Sequence, residues 1–428
     1  MNYFAELGLS QKLSDRLAEI GLTEPTPIQS KAIPRVLEGR DIMGLAQTGT
    51  GKTAAFGLPI VQTLHSKGQK PAPRSARALI LAPTRELVRQ IMDNLANYVG
   101  KSHLKVTMVV GGAGIGAQIK RMERGTDILV ATPGRLIDLT ERKAVDLSQT
   151  EYLVLDEADQ MLDLGFIHAL RQIAKLLPQQ RQTLLFSATM PKLMNEIAQT
   201  YLTDPVRVQV APPGKVADKI MQSLHYVDKG EKVGHLKTLL AEHRGEKAIV
   251  FTRTKHGAER LMKSLDGAGF KAGSIHGNKS QAQRDRALAA FKAGQLDVLV
   301  ATDVAARGID IPLVKVVYNF DLPNVPENYV HRIGRTARAG NDGRAIAFCG
   351  QDEMKELRQI EKLLGFALPV EGGNAWLGPK DAPDGAEPKR PGRRPRRRPS
   401  GGPKGGFKGG KGGGAGGGPR RRSKRRAA

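Results

Sequence analysis

The sequence predicts an α/β fold made of two tandem parallel-sheet domains followed by a disordered basic tail. Three observations support this prediction. Apolar strand-like runs alternate with helical patterns, two strings recur at one spacing in the second half, and the pattern is lost after about Val370. Near-continuous apolar strands that alternate with helices are typical of parallel sheets covered on both faces.

The strand-like runs fall into two sets, and their short length favours strands over helices. In the first half they are Asp41–Leu45, Ala78–Ala82, Val106–Val110, Asp127–Ala131, Tyr152–Leu155 and Thr183–Phe186. In the second half they are Ser223–Val227, Ala248–Thr252, Gly273–Ile275, Asp297–Ala301, Val314–Asn319 and Ala345–Phe348.

The two halves also resemble each other directly. Asp127–Thr132 reads DILVAT, and Asp297–Thr302 reads DVLVAT 170 residues later. Ala78–Leu81 aligns with Ala248–Phe251 at the same spacing of 170. A spacing shared at two places indicates tandem copies of one fold, although any two parallel β/α domains can share short strings.

Breaks in the pattern give predicted domain boundaries. The first domain is assigned to residues 1–207, a linker to 208–219, the second domain to 220–370 and the tail to 371–428. The linker contains two prolines and a glycine in succession, which interrupt both strand and helix. Two domains joined in this way can open and close over a cleft. The Pro-, Arg- and Gly-rich tail cannot bury enough apolar surface to offset its chain entropy, so we expect disorder.

Charge points to a polyanionic partner. The chain of 428 residues has a net charge of +25, and the tail holds 17 Lys and Arg against 4 Asp and Glu. Both the body and the tail are therefore basic, which indicates nucleic acid most simply. A basic protein without such a partner is the alternative that charge alone leaves open.

The only cysteine, Cys349, lies in an apolar run and cannot form a disulfide within the chain. This usage fits a reducing cytoplasm, and a buried structural thiol is favoured over a reactive one. No apolar stretch approaches the ~20 residues that span a bilayer, so no membrane association is predicted. The N-terminus shows no secretory signal pattern.

A Gly-rich loop follows the first predicted strand and reads Ala46, Gln47, Thr48, Gly49, Thr50, Gly51, Lys52 and Thr53. Its backbone N–H groups and the N-terminus of the following helix would face phosphates. Lys52 would neutralise the β- and γ-phosphates, and Thr53 would place a hydroxyl on Mg²⁺. The common pattern starts with Gly where Ala46 stands, so a simple Gly-rich turn is the alternative.

Acidic residues follow the apolar run Tyr152–Leu155, at the carboxyl end of a predicted strand. Asp156 would hold Mg²⁺, and Glu157 would orient or deprotonate the attacking water. Acidic residues are also favourable at the start of a helix, which is the alternative for this string taken alone.

Two arginines in the second half are candidates for contact with the transferred phosphate. Arg335 and Arg338 are three residues apart, a spacing that would place both on one helical face. They would reach the first domain's nucleotide across the cleft when the domains close. A solvated basic helix is the alternative.

These motifs, taken in chain order, resemble those of DEAD-box ATP-dependent RNA helicases, which have tandem RecA-like domains. Each string is weak alone, whereas the ordered set is specific. The resemblance covers about residues 1–365, and its motifs are Ala46–Thr53, Pro83–Leu87, Gly111–Gly112, Thr132–Arg135, Asp156–Asp159, Ser187–Thr189, Asp303–Asp310 and His331–Gly340.

Details of the sequence support this resemblance. Ala46 agrees with the family, and the departures at Val88 and Ala337 remove no charged or hydrogen-bonding group. The short N-terminal lead-in and the basic tail are most similar to the bacterial RhlE-type branch.

The resemblance implies further roles at the nucleotide. Gln29, in an adenine-reading motif within residues 2–30, would select ATP, and Phe4 would stack on the base. Ser187 and Thr189 would couple hydrolysis to domain closure. Asp310 would contact the ribose, and His331 would bridge to the acidic motif of the first domain.

The resemblance also implies an RNA path across both domains. The contacts would come from Pro83, Thr84, Arg85, Gly112, Thr132, Arg135, Arg253, Thr254, Gln281, Arg284, Thr302 and Arg307. Since such contacts reach the backbone, binding should be largely independent of sequence. Gly111 and Gly112 would let the protein backbone approach the strand closely. Helix capping is the alternative role for each threonine.

The implied activity is RNA-stimulated hydrolysis of ATP with Mg²⁺, coupled to local unwinding of short RNA duplexes or remodelling of RNA–protein complexes. Ribosomal and RNA-decay ribonucleoproteins are compatible partners, and a monomer would suffice. A DNA-directed ATPase and a non-enzymatic RNA-binding or annealing protein are the competing classes. The tail would tether RNA loosely or serve as a spacer without a binding role.

Overall fold

The computed structural model describes residues 3–46, 49–190, 192–209, 220–306, 314–336 and 343–376. These residues lie in one compact unit that ends at Trp376. Within it are two seven-stranded sheets, and every strand pair in both sheets is parallel.

The first sheet has the strand order β3-β4-β2-β5-β6-β1-β7. Its strands are β1 Ile42–Leu45, β2 Ala76–Leu81, β3 Val106–Val109, β4 Thr126–Ala131, β5 Tyr152–Leu155, β6 Gln182–Ser187 and β7 Val206–Gln209. The helices that accompany it are α1 Gln11–Glu19, α2 Pro27–Leu37, α3 Lys52–Lys67, α4 Arg85–Val99, α5 Ile115–Met122, α6 Pro133–Glu141, α7 Ala158–Asp163, α8 Ile167–Ala174 and α9 Lys192–Tyr201.

The second sheet has the order β10-β11-β9-β12-β13-β8-β14. Its strands are β8 Ile220–Tyr226, β9 Ala248–Thr252, β10 Ala272–Ile275, β11 Val298–Thr302, β12 Val316–Asn319, β13 Gly343–Cys349 and β14 Val370–Gly372. Its helices are α10 Lys232–Glu242, α11 Lys255–Asp266, α12 Gln281–Lys292, α13 Asp303–Ala306, α14 Pro326–Ile333 and α15 Met354–Leu364.

The two sheets share one topology. When the strands of each sheet are counted from its own first strand, both orders read 3-4-2-5-6-1-7. This identity confirms the predicted α/β fold with tandem copies of one architecture. Because the carboxyl ends of parallel strands meet at one edge, loops that follow different strands are brought together there.

The predicted strands are all present, and their ends shift by at most three residues. The sequence missed β7 and β14, which occupy the same edge position in the two sheets. Each buries little: only Val208 is buried in β7, and Val370 is 53% exposed in β14. Without a continuous apolar run, neither strand gave a signal.

Both missed strands overlap segments that were predicted to be irregular. Val208 and Gln209, expected in the linker, belong to β7, and Glu371 and Gly372, expected in the tail, belong to β14. The Trp376 indole N–H also donates to the Cys349 carbonyl at 3.1 Å. Residues 210–219 and 377–428, which hold the rest of the linker and tail predictions, lie outside the described residues.

Central strands are buried on both faces, as the apolar runs predict. Every residue of β2, β4 and β5 is buried. Gly44 in β1 is required by close packing, since an added Cβ would lie 2.5 Å from the Phe186 ring. Cys349 is buried and unpaired, and burial raises the pKa of its thiol to about 12. None of the helices in the described ranges has the length and apolar content of a bilayer-spanning segment.

Candidate nucleotide and RNA sites

The phosphate loop lies between β1 and α3, at the carboxyl edge of the first sheet. Gly49 and Gly51 have φ of 88° and 90°, a left-handed conformation that glycine adopts without steric cost. Lys52 opens α3, and Thr53 follows in its first turn. The N-terminal N–H groups of α3 thus face the loop, as an anion site requires.

Thr26 and Gln29, at the start of α2, brace this loop. The Thr26 hydroxyl donates to the Thr50 carbonyl at 2.8 Å, and Gln29 Nε2 donates to the Gly51 carbonyl at 3.0 Å. Gln29 Oε1 accepts from the Thr26 backbone N–H at 2.9 Å. The sequence predicted that Gln29 lies near the nucleotide. It gave no separate role to Thr26, which precedes Gln29 by three residues and contacts the same loop.

Lys52 and Asp156 form the centre of the site. Both side chains are buried, and Lys52 Nζ lies 3.6 Å from Asp156 Oδ1. Within the described residues Lys52 Nζ has no hydrogen-bond acceptor. Burial, followed by the charge of Glu157, raises the pKa of Asp156 to about 6 against the opposing effect of Lys52. A buried ammonium without an acceptor fits a phosphate oxygen as its partner.

Glu157 follows Asp156 in an unusual backbone conformation. Its φ of 53° and ψ of 51° lie in the left-handed region, and its side chain is buried. Its N–H donates to Asp156 Oδ1 at 3.0 Å. The chain thus turns sharply at Glu157 as it passes from β5 into α7.

Asp159 connects the acidic motif to the motif after β6. Its Oδ2 accepts from the Ala188 N–H at 3.1 Å, the Thr189 N–H at 2.8 Å and the Thr189 hydroxyl at 2.9 Å. The Ser187 hydroxyl donates to the Thr189 carbonyl at 2.7 Å. His331 Nε2, from the second domain, lies 4.0 Å from the same Asp159 oxygen. The structure therefore places the predicted residues Ser187, Thr189 and His331 around one carboxylate.

The premise that Arg335 and Arg338 share a helical face is wrong. Helix α14 ends at Ile333 because Gly334 follows as its C-cap, so Arg335 lies beyond the helix. Arg335 is buried and lines a small cleft with His331. Arg338 lies outside the described residues.

Arg332 is a buried residue to which the sequence gave no role. Its guanidinium donates to both oxygens of Asp303, at 2.5 and 2.8 Å, and to the Asp321 carbonyl at 2.6 Å. It also donates to the Asn319 side chain at 3.1 Å. These contacts fix α14 against β12 and so position the neighbouring His331.

On the first domain, the predicted RNA residues surround the start of α4 and the glycine pair. Thr84 caps α4 by accepting from the Leu87 N–H at 3.2 Å. Arg85 packs on Gly112, where an added Cβ would lie 2.1 Å from its guanidinium. Arg135 donates to the Ala113 carbonyl at 3.0 Å. The Arg85 side chain therefore occupies the space that a Cβ at position 112 would take. This packing favours glycine there, and the sequence did not reveal it.

Glu86 joins the two domains. Gln281 Nε2, from α12, donates to Glu86 Oε1 at 2.9 Å, and Arg284 Nη2 of the same helix forms an ion pair with this oxygen at 2.9 Å. A groove of about 290 Å³ beside this contact is lined by residues of both domains, among them Arg85, Gly112 and Gln281. The sequence predicted Gln281 and Arg284 as RNA contacts and gave Glu86 no role.

The remaining predicted contacts lie at strand ends. Pro83 and Thr132 are buried after β2 and β4, and Thr302 is buried at the end of β11. Thr254 caps α11 through the Gly257 N–H at 3.0 Å, as Thr84 caps α4. The capping role is thus present at both equivalent threonines. The predicted residues Gln47, Thr48, Arg307 and Asp310 lie outside the described residues.

Phe4 is fully buried in the core of the first domain, in the cluster that includes Leu17 and Phe56. Its ring has no exposed surface in this conformation. A base could reach it only after neighbouring groups move.

The side chains at this site fit a metal ion that is bound together with nucleotide phosphates. No cluster of three or more His, Cys, Asp or Glu side chains suited to a metal ion occurs among the described residues. Mg²⁺ in nucleotide sites needs only one or two carboxylates, together with phosphates and water. Asp156 beside Lys52 and Thr53 supplies such a set.

The repeated sheets, the phosphate loop and the carboxylates at its edge define a P-loop nucleotide-hydrolysing enzyme of two RecA-like domains. Sequence comparison then narrows the class. Residues 26–197 match the DEAD/DEAH box helicase family, and residues 231–340 match the helicase conserved C-terminal domain. The chain belongs to the DEAD-box family of ATP-dependent RNA helicases.

Individual relatives agree with this assignment. The ATP-dependent RNA helicase CshA of Listeria monocytogenes is 46% identical over 85% of this chain and 69% of its own length. The structure of S. cerevisiae Dbp5 bound to RNA and ADP BeF3 is similar, with a TM-score of 0.78, 30% identity and coverage of 87% and 96%. Mss116p bound to ssRNA and AMP-PNP gives a TM-score of 0.78, 30% identity and coverage of 87% and 79%.

Proposed function

We propose that ATP binds at the carboxyl edge of the first sheet, with its phosphates at the N-terminus of α3. The observation that carries this proposal is the buried Lys52 ammonium, which has no acceptor among the described residues. The γ-phosphate oxygens would complete its coordination. The backbone N–H groups of Thr50 and Gly51 would donate to the same phosphates.

Hydrolysis is assigned to the carboxylates after β5. Mg²⁺, held by Thr53, Asp156 and water, would neutralise phosphate charge. Glu157 orients the water and accepts its proton as the oxygen attacks the γ-phosphorus and the bond to the β-phosphate breaks. Arg335 and Arg338 are proposed to stabilise the charge on the transferred group from the second domain.

Gln29 retains the capacity to read adenine. An amide side chain has two N–H donors and two acceptor lone pairs. One donor is used by Gly51 and one lone pair by the Thr26 N–H. The remaining donor and lone pair match the donor and acceptor of an adenine edge, while the contact to Gly51 links base recognition to the phosphate loop. Phe4 stacking and the Asp310 contact to ribose remain predictions from the resemblance.

RNA is proposed to lie across the carboxyl ends of both sheets. The groove beside Glu86 supports this path, because it is continuous from Arg85 and Gly112 to α12. The similar proteins Dbp5 and Mss116p are bound to RNA in their structures. The predicted contacts at Thr84, Thr254 and the other strand ends would grip the phosphates of one strand.

Coupling would act through closure of the two domains. Glu86 contacts Gln281 and Arg284 across the cleft, and His331 approaches Asp159, which in turn holds Thr189. We propose that ATP and RNA together favour this arrangement and that the held strand no longer fits a duplex. The differential affinity for the closed state then offsets the loss of a few base pairs.

The test is steady-state ATP hydrolysis by the purified protein without nucleic acid, with single-stranded RNA, and with DNA of the same sequence. We expect strong stimulation by RNA and little by DNA. Equal stimulation by DNA would contradict the RNA path and favour a general nucleic-acid ATPase. No hydrolysis in any sample would contradict the assignment of Lys52 and Glu157.

The tail is proposed to tether RNA through its arginines and lysines. Because residues 371–376 take part in β14 and the Trp376 contact, a truncation should remove only residues 377–428. We expect weaker RNA binding with a flatter salt dependence, and little change in turnover at saturating RNA. An unchanged salt slope would identify the tail as a spacer.

Finer assignments are proposed on sequence grounds. The division into two domains, a linker and a tail rests on the breaks in the pattern, with β7 extending the first domain to Gln209 and β14 extending the second to Gly372. A cytoplasmic monomer is proposed from the single buried cysteine and the paired domains. Ribosomal or RNA-decay particles are proposed as targets. The RhlE-type branch is proposed from the short lead-in and basic tail, and a tree built from the two domains tests it against CshA-type relatives.

A further inference from the structure

A buried glutamate, Glu353, collects donors from four different strand ends of the second domain. Its side chain is 3% exposed. Oε2 accepts from Lys232 Nζ at 2.5 Å and from the Gly350 N–H at 3.0 Å. Oε1 accepts from Arg253 Nη2 at 2.8 Å and from the Leu322 N–H at 3.0 Å.

These donors come from separate elements at one edge of the sheet. Lys232 starts α10 after β8, Arg253 follows β9, Leu322 follows β12, and Gly350 follows β13. A single carboxylate therefore fixes the relative position of four loops. Both oxygens are saturated, so the geometry allows little rotation of the carboxylate.

Arg253 is the only one of these partners that reaches the surface through its side chain, which is 35% exposed. Its Nη2 is held by Glu353 and by the Leu322 carbonyl at 3.1 Å, and its backbone N–H donates to Asp321 Oδ2 at 2.9 Å. No described residue accepts from its Nε or Nη1. The guanidinium is thus anchored through Nη2, while Nε and Nη1 keep N–H groups that no described residue uses.

We propose that Glu353 is a positioning residue for RNA binding, which holds the Arg253 guanidinium through Nη2 so that Nη1 faces a phosphate. This inference rests on the proposed RNA path, in which Arg253 contacts the strand. An arginine whose fork is pre-oriented loses less rotamer entropy when it binds a phosphate than a free side chain does. Glu353 itself touches no RNA in this proposal.

The substitution Glu353→Gln keeps the size of the side chain but breaks its pattern of four acceptor contacts. An amide has one acceptor oxygen, so its NH₂ group must face either Arg253 and Leu322 or Lys232 and Gly350, all of which are donors. In the first orientation Arg253 is released directly. In the second orientation the NH₂ group faces Lys232, and the displacement of Lys232 disturbs the site that it shares with Arg253.

The experiment is a double-mutant cycle with Glu353→Gln and Arg253→Ala, read as the KM for single-stranded RNA in the ATPase assay. We expect each single variant to raise this KM about tenfold, as for loss of one charged hydrogen bond. The kcat at saturating RNA and the KM for ATP should change little. In the Arg253→Ala background, Glu353→Gln should have no further effect on the KM for RNA.

Controls separate positioning from a general loss of structure. Glu361, on the same helix α15, accepts from the Leu368 N–H at 3.0 Å, so Glu361→Gln removes a comparable carboxylate away from Arg253. It should leave the KM for RNA unchanged. Thermal unfolding of each variant shows whether the second domain remains folded under assay conditions, and Glu353→Asp is measured if Glu353→Gln does not fold.

The outcomes are distinct. If Arg253→Ala leaves the KM for RNA unchanged while RNA still stimulates hydrolysis, the assigned contact of Arg253 is wrong and the inference falls with it. If Arg253→Ala raises the KM but Glu353→Gln does not, or if the two effects are additive, positioning by Glu353 is contradicted. A rise in KM that disappears in the double variant supports it.

Discussion

Equivalent positions of the two sheets each carry a buried lysine, and the two lysines are neutralised differently. Lys52 opens the helix after the first strand of its sheet, and so does Lys232 in the second domain. Lys52 Nζ has no hydrogen-bond acceptor among the described residues, whereas Lys232 Nζ donates to Glu353 and to the Phe320 carbonyl at 2.8 Å. The repeated architecture thus leaves one lysine without an acceptor among the described residues, as the proposed phosphate contact requires, and satisfies the other from within.

The loops before these lysines explain the difference further. Gly49 and Gly51 allow the first loop to turn with its N–H groups inward. In the second domain the corresponding loop, residues 227–231, has a single glycine, and Glu353 occupies the neighbourhood of the lysine. Carboxylate oxygens there take the place that phosphate oxygens would take in the first domain. This difference fits the nucleotide site proposed for the first domain.

Removing the second lysine should have the largest effect, and on stability. Lys232→Met leaves Glu353 buried without its ammonium partner, so we expect a loss of about 3–5 kcal/mol in the free energy of unfolding. Thermal unfolding of the full chain measures it. Replacing both residues, with Lys232→Met and Glu353→Leu, should recover part of this loss, because no carboxylate is then buried and Arg253, which loses its partner, is 35% exposed to solvent. Equal stability of Lys232→Met and wild type would contradict a structural role for Lys232.

Removing the first lysine should instead affect catalysis. Lys52→Ala is expected to lower RNA-stimulated turnover by about 10²–10³-fold, since it removes a preorganised charge from the transferred phosphate. The melting temperature should fall less than in Lys232→Met, because Lys52 donates no hydrogen bond among the described residues and lies 3.6 Å from Asp156, whose carboxyl can take up a proton with a pKa of about 6. Retention of full turnover would contradict the proposed phosphate site.

A smaller effect is expected where the domains meet. Glu86→Ala removes the acceptor of Gln281 and Arg284, and we expect turnover at subsaturating RNA to fall about tenfold, or about 1.4 kcal/mol. ATP binding without RNA, measured by calorimetry, should not change. Glu123→Ala, at an exposed position of the first domain, is the matched control. A similar fall in both variants would argue against a role for the interdomain contact.

The smallest effect concerns pH. Hydrogen bonds from His276 and then Lys279 lower the pKa of Glu259 to about 2. Its folded-state pKa is depressed, so its contribution is complete above the unfolded value near 4.5 and is lost as pH falls towards 2. Since the site is partly exposed, we expect less than about 1 kcal/mol. The difference in melting temperature between wild type and Glu259→Gln should therefore shrink from pH 6 to pH 3; a constant difference would contradict this.

The sequence predicted the interior of both sheets better than their edges. Runs such as Tyr152–Leu155 and Ala248–Thr252 match the observed strands because full burial on two faces demands uninterrupted apolar residues. The edge strands β7 and β14 are not buried on two faces, so their sequences resemble those of a linker and a tail. Local composition indicates whether a segment is buried. An edge strand is defined mainly by the strand with which it pairs, so local composition does not predict it.

The site was predicted in a similar way. Motif order located Lys52, Asp156 and the residues around Asp159, because these strings are tied to the strand ends of one architecture. It did not reveal that Glu86 bridges to α12 or that Glu353 holds Arg253, since both contacts join residues far apart in the chain. The assumed helix through Arg335 was wrong because Gly334 ends α14, a stop signal within the motif itself.

The backbone conformation of Glu157 affects the outcome of selecting this protein for heat resistance. The left-handed backbone at this position favours glycine, or asparagine among residues with side chains, over glutamate by roughly 1 kcal/mol. With Glu157 as the proposed proton acceptor, a screen that rewards survival alone should therefore replace it early and yield more stable proteins with little ATP turnover. Only a screen that also demands turnover would retain the glutamate, so the position distinguishes the two kinds of selection within a single library.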